Sequence, residues 1–175
     1  SFDVPGVPEL MDRRVWEDWD PDVLTTGPQG DISVPYYTLE GSAVVRVAGS
    51  NRAALTIQAP EADTLTDLGV SLDQRTAAAV SADRSTLWVI PLDGSADEAG
   101  VEGGDLSGPS FDVDGRAWFT EEGRVMRLAS RSQAQEVPIR SEGFTAKVSS
   151  VHLARDGVRV LLVAGGELHL GAIYS

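Results

Sequence analysis

Cysteine is absent from this 175-residue chain. Disulfides, thiolate zinc sites and thiol nucleophiles are thereby excluded, and the redox compartment stays open. Histidine occurs only at His152 and His169. Each alternates with apolar neighbours in a strand-like run and lacks metal-ligand spacing, so each reads as a packed or surface strand residue. The single asparagine, Asn51 in Asn51-Arg52-Ala53, gives no glycosylation sequon. Basic residues are scarce, 14 against 27 acids, for a net charge of -13. That balance repels nucleic-acid backbones and anionic membrane surfaces, and no nucleic-acid partner is expected. The acids form no long run and read as a solvated surface. No stretch approaches the roughly 18 apolar residues of a membrane helix, and the N-terminus lacks a basic start followed by an apolar stretch. The chain opens at Ser1-Phe2-Asp3-Val4 without methionine, and is expected to be a piece of a longer parent.

What the chain has is a repeat. Leu72-Asp73-Gln74-Arg75 is echoed 41 residues later by Val113-Asp114-Gly115-Arg116, and 42 residues further on by Arg155-Asp156-Gly157-Val158. Each turn joins two alternating runs, and a second turn follows at Asp83-Arg84, Glu122-Gly123 and Gly165-Gly166. A hairpin recurring at about 40 residues is the period of a four-stranded propeller blade, which cannot bury both faces without neighbours. A sandwich would explain frequent turns but not the return of one Asp-containing turn at a fixed interval. The apolar content of 42% is enough to bury a substantial core.

The expected fold is all-β: a β-propeller fragment of about three to four four-stranded antiparallel blades, incomplete because closure takes typically four to eight. Residues 1–33, with Pro5, Pro8, Pro21, Pro28, Trp16 and Trp19, read as a lead-in segment from a preceding domain, packed on the repeats by the two tryptophans. Residues 34–175 read as the partial propeller. The first unit spans Val34–Leu39, Val44–Val47 and Ala53–Ile57 and is expected to lack its innermost strand. The second has Thr66–Leu72, Thr76–Val80, Leu87–Pro91 and a weak outer strand within Ala96–Asp105. The third is complete, at Leu106–Asp112, Ala117–Thr120, Arg124–Leu128 and Gln135–Ile139. The fourth stops after Lys147–Leu153, Arg159–Val163 and Glu167–Ile173.

Chemistry is sparse. Asp112-Val113-Asp114-Gly115 has the alternate acids of a calcium loop, but Gly115 comes at position 4 and Gly123 at position 12, where the loop needs glycine at 6 and glutamate at 12. It reads as a hairpin turn. Asp112, Glu121 and Glu122 could supply a glycosidase pair, although solvated turn acids are the simpler reading. Trp88 and Trp118 are expected to fill space between blades rather than to stack on sugars. There is no nucleophile elbow, Walker loop or dinucleotide fingerprint. No catalytic residue, metal or cofactor is expected.

Two strings, Leu106-Ser107-Gly108-Pro109-Ser110-Phe111-Asp112-Val113-Asp114-Gly115-Arg116-Ala117-Trp118 and Val151-His152-Leu153-Ala154-Arg155-Asp156-Gly157-Val158-Arg159-Val160, resemble the propeller domain of the actinobacterial lipoprotein LpqB family. Gly165-Gly166-Glu167-Leu168-His169-Leu170-Gly171 resembles that domain's third strand. Val4-Pro5-Gly6, Trp16 and Asp20-Pro21 resemble the junction from the family's GerMN-type domain into its propeller. The resemblance implies an exported lipoprotein, lipid-anchored at the outer face of the cell membrane, that contacts the sensor kinase MtrB of the MtrAB two-component system and affects envelope and division control. The anchoring cysteine of the family is missing here, so membrane attachment transfers to no residue of this chain.

The expected function is therefore a non-enzymatic interaction module that meets the extracellular domain of an MtrB-like kinase. Its surface would be the turns carrying Asp73, Arg75, Asp114, Arg116 and Asp156. The alternative is a propeller that binds or cleaves envelope carbohydrate, through Trp118 and Asp112.

Overall fold

The structure is a computed structural model that describes residues 25–26, 36–48, 53–58, 64–94, 98–139 and 144–173. The expected packing of Trp16 and Trp19 lies outside them. Every described element is a strand, and all strand pairs are antiparallel. Sheet one contains β1 (Thr25–Thr26), β2 (Tyr36–Glu40), β3 (Ala43–Ala48) and β4 (Ala53–Gln58). Sheet two contains β5 (Leu65–Val70), β6 (Thr76–Ser81), β7 (Thr86–Pro91) and β8 (Ala99–Glu102). Sheet three contains β9 (Leu106–Phe111), β10 (Ala117–Glu121), β11 (Arg124–Ser130) and β12 (Gln133–Glu136), and sheet four β13 (Val148–Leu153), β14 (Arg159–Ala164) and β15 (Glu167–Ala172). Each is a meander in chain order.

One expectation needs correction. The first unit does have an innermost strand, since Thr25 and Thr26 pair with Tyr37 and Tyr36. It is two residues long and falls in a proline-rich stretch, too short to show alternation.

The sheets stack face to face, and the alternation of each middle strand follows from having a neighbour on both sides. On β6, Ala77 and Ala79 join the core between sheets one and two, with Tyr37, Val44, Trp88 and Ile90. Ala78 and Val80 point the other way, into the core with Phe111, Ala117 and Phe119. On β10, Phe119 faces sheet two while Trp118 faces Val148, Val151 and Leu162 of sheet four. Small residues sit where large ones need room. Ala79 and Gly100 flank Trp88 on the adjacent strands.

Adjacent sheets are also joined by backbone. The first residue of each new unit donates its N–H to the second turn of the unit before: Leu65 to Gly41 O (2.8 Å), Leu106 to Arg84 O (3.0 Å) and Val148 to Gly123 O (2.9 Å). First strands are further linked by side chains. Gly108 N–H donates to Asp67 Oδ2, Ser107 Oγ to Ser149 O, and Leu153 N–H to Ser110 Oγ. The approach is close: a Cβ at Gly69 would lie 2.5 Å from Pro109 O.

Candidate functional site

The three repeated turns connect the first two strands of sheets two, three and four, and stand along one end of the stack. A Cβ at Gly157 would come within 2.9 Å of the Val113 side chain, so the last two turns touch. The turns are built alike. Thr76 O, Arg116 O and Arg159 O accept the N–H of Ser71, Asp112 and Ala154. The left-handed position is filled by Gly115 (φ 75) and Gly157 (φ 70) where the sequence has Asp-Gly, and by Gln74 (φ 59) in the second unit. Gln74 tolerates that strain while its Oε1 accepts a bond from the buried Tyr37 hydroxyl at 3.1 Å. Burial raises the Tyr37 pKa. The Asp112-Val113-Asp114-Gly115 string is thus a turn, closed by Gly115 N–H on Asp112 O.

The structure divides the five residues singled out in the sequence by what their side chains do. Asp73 accepts from Ser71 Oγ at 2.7 Å and Arg75 N–H at 3.1 Å. Asp156 accepts from the N–H groups of Val158 and Arg159 and from the Arg159 guanidinium. These two carboxylates hold their turns together. In the third unit that task falls to Asp112, whose Oδ1 accepts from Asp114 and Arg116 N–H while its Oδ2 accepts from Trp118 Nε1 at 2.9 Å. Asp114 instead lies outward, 3.5 Å from the Arg116 guanidinium in an exposed pair. Such an exposed pair contributes little to stability. Arg75 is likewise exposed.

The sequence reading took in Val158 only as the end of the Asp156–Val158 turn, and left Val113 outside the expected surface. Val113 and Val158 are 51% and 52% exposed, and stand in the turns beside Asp114 and Asp156. Their signal was present as an apolar residue flanking each Asp-Gly dipeptide. The turn end is therefore a mixed surface in which exposed aliphatic groups stand among carboxylates and guanidinium groups.

The groups behind the carbohydrate alternative are packed or already paired. Trp118 is 3% exposed and Trp88 9%, both packed between sheets as expected. Asp112 is buried with its oxygens occupied. Glu121 and Glu122 form a surface network with Arg124. His152 contacts Ser150 Oγ at 3.2 Å, and His169 meets Phe144 edge-on at 5.2 Å.

Hydrogen bonds set the charge behaviour of the rim. The N–H groups of Arg159 and Val158, with the Arg159 guanidinium, hold the Asp156 pKa down at about 2. The Ser71 hydroxyl lowers Asp73, assisted by Arg75 N–H. Because the folded pKa of Asp156 lies below its ordinary value of 3.8, its contribution to stability is complete above about pH 4 and is lost as pH falls toward 2. Asp156→Asn is thus expected to melt below the unsubstituted protein at pH 6, and the gap to close by pH 2. An NMR titration should place the Asp156 carboxyl inflection near 2, whereas an inflection near 4 would contradict this geometry.

Stacked antiparallel meanders, three of four strands and one of three among the described residues, with their first strands neighbouring one another and the first-hairpin turns aligned at one end, make the chain a β-propeller, here with no closed ring among the described residues. Fold likeness agrees: virginiamycin B lyase of Staphylococcus aureus matches with a TM-score of 0.54 at 12% identity, covering 86% of this chain and 54% of that one. Hydrazine synthase of Kuenenia stuttgartiensis matches at 0.61 and 14% identity, covering 86% and 48%. At such identities only the fold is shared. Within that fold, the model of the lipoprotein LpqB beta-propeller domain matches residues 37–175, and the chain belongs to this family. Lipoprotein LpqB of Mycolicibacterium smegmatis is 29% identical over 189 aligned positions, 98% of this chain and 32% of that protein. The Streptomyces coelicolor protein of the same name is 29% identical over 157, covering 81% and 26%. The chain thus spans about a quarter to a third of the length of these curated relatives.

Proposed function

We propose that the chain is the non-enzymatic interaction module of an extracytoplasmic lipoprotein, lipid-anchored at the outer face of the cell membrane, whose turn end engages the extracellular domain of an MtrB-like sensor kinase and so modulates MtrAB signalling, with consequences for cell-envelope and division control. The observation that carries this reading is the row of exposed Val113 and Val158 among Asp114, Arg116 and Arg75 at one end of the stack. Apolar groups there gain from desolvation against a partner, while the surrounding charges select it. The kinase is the partner that the family resemblance implies.

The substitutions that test this reading are Arg75→Glu, Arg116→Glu and Asp114→Lys. Their side chains make none of the carboxylate bonds that close the turns, so the fold should persist. Calorimetric binding to the kinase domain should weaken at least about tenfold for the triple variant, equivalent to ~1.4 kcal/mol. Unchanged affinity with unchanged melting would remove this surface from the interface.

A further inference from the structure

Asp-Gly dipeptides stand at the same place in two of the repeated turns, Asp114-Gly115 and Asp156-Gly157, so the fold sets two chemically identical groups in different surroundings. A glycine nitrogen is open to an aspartyl carboxyl on the preceding residue, because no Cβ obstructs the close approach of side chain to backbone. Both glycine nitrogens are tied alike, Gly115 donating to Asp112 O and Gly157 to Ala154 O at 3.1 Å. The difference between the turns lies in what holds the carboxyl.

At Asp156 the carboxyl is restrained on both oxygens. Oδ1 accepts from Val158 N–H and Arg159 N–H at 3.0 Å, and Oδ2 from the Arg159 guanidinium. Turning it toward the Gly157 nitrogen breaks charge-assisted bonds, which are stronger than neutral ones. The same donors hold its pKa at about 2, so the uncharged carboxyl, the form that loses its hydroxyl as water, is scarce at neutral pH. Its glycine is also hemmed in, since a Cβ there would lie 2.9 Å from Val113 Cγ2. In the second unit Asp73 is bound by Ser71 Oγ and Arg75 N–H and is followed by Gln74. In the third unit the turn-closing bonds go to Asp112, whose next residue, Val113, is β-branched and stiff. That shift of two residues leaves the Asp114 carboxylate with an exposed ion pair to Arg116 at 3.5 Å, its side chain 63% exposed. A Cβ at Gly115 would meet nothing within 4 Å. Of the three turns, this one combines a loosely held carboxyl, a glycine nitrogen and open space.

We propose that Asp114 is a site of spontaneous isoaspartate formation in the folded protein, and that the like-placed Asp156 is protected from it. The Gly115 nitrogen bonds to Asp114 Cγ, and a carboxyl oxygen leaves as water with the carboxyl proton and the amide proton, closing a succinimide ring. Water then breaks the bond between the Asp114 backbone carbonyl carbon and the Gly115 nitrogen. The chain thereafter runs through Cγ, and the former backbone carbonyl becomes the free carboxylate. One water leaves and one returns, with no oxidant or reductant. The succinimide carries no N–H, so the Gly115 bond to Asp112 O is lost at that stage, and the product lengthens the turn by a main-chain carbon. The reaction falls on the rim assigned above to partner contact but does not rest on that reading.

The test is ageing of the native chain at neutral pH, followed by digestion, chromatographic separation of isomeric peptides and electron-transfer fragmentation to place the isoaspartate. It is expected to accumulate at 114 at least about tenfold faster than at 156, a factor that the loss of one charge-assisted bond accounts for. In urea, where the turn bonds are gone, the two rates should converge. Asp114→Glu, whose longer side chain does not close the same ring, should abolish the signal at that position. Equal rates in the native chain, faster accumulation at 156, or no isoaspartate at native 114 while it forms in urea each overturns the proposal. So does a gap that persists in urea, which would belong to local sequence and not to the fold, or a signal that survives Asp114→Glu.

Discussion

Trp118→Ala is expected to lower the unfolding free energy by about 3–5 kcal/mol, the usual cost of deleting a large buried aromatic side chain. The ring is 3% exposed and packs against Val148, Val151 and Leu162 across the interface between sheets three and four. Its face carries the Arg127 guanidinium at 5.5 Å, and its Nε1 donates to Asp112. Removing it leaves a cavity and an orphaned oxygen on a buried carboxylate. Trp118→Phe separates the two effects, since it retains most of the apolar contact but not the donor; about 1–3 kcal/mol is expected for it, mainly from the unpaired oxygen. If the Phe and Ala variants were equally destabilised in urea, packing would contribute nothing and the account given for this residue would fail.

Phe119→Ala should cost a similar ~3–5 kcal/mol, with a different footprint. Phe119 is 1% exposed and points into the core with Val80, Leu87 and Phe111. Amide exchange should therefore accelerate in β5 to β8 for Phe119→Ala, and in β13 to β15 for Trp118→Ala. Stacked repeats couple mainly to their nearest neighbours, which is why two adjacent residues of one strand can loosen opposite flanks of the molecule. Identical exchange patterns would mean that the stack opens as one unit.

Much of this organisation was legible in the sequence, because an Asp-containing turn at a fixed interval is a local signal, and local signals survive without a partner in view. The weak outer strand within Ala96–Asp105 appears as β8, and the complete third unit as β9 to β12. What stayed hidden depended on contacts between units. Thr25–Thr26 forms a strand only because Tyr36 and Tyr37 are there to pair with it. Asp112 and Trp118 were each noticed in the sequence, the one as a metal or acid candidate and the other as a packing residue, but nothing in their spacing showed that they bind one another. The division of labour between Asp112 and Asp114 was hidden for the same reason: both precede Gly115, and only the turn geometry decides which oxygen faces inward. At the rim, charge drew the eye, and the part of Val113 and Val158 could not be read, since an isolated valine carries no chemistry until its exposure is known.

The backbone bonds that tie each sheet to the one before it have an evolutionary consequence. Leu65, Leu106 and Val148 donate main-chain N–H groups to main-chain carbonyls, a connection that a substitution at either end does not delete so long as the donor is not proline. Selection on such joints acts on backbone path and not on side-chain identity. Lineages can then rewrite most of their residues while each sheet remains fastened to the next, and relatives that retain only 25–29% identity can keep one architecture.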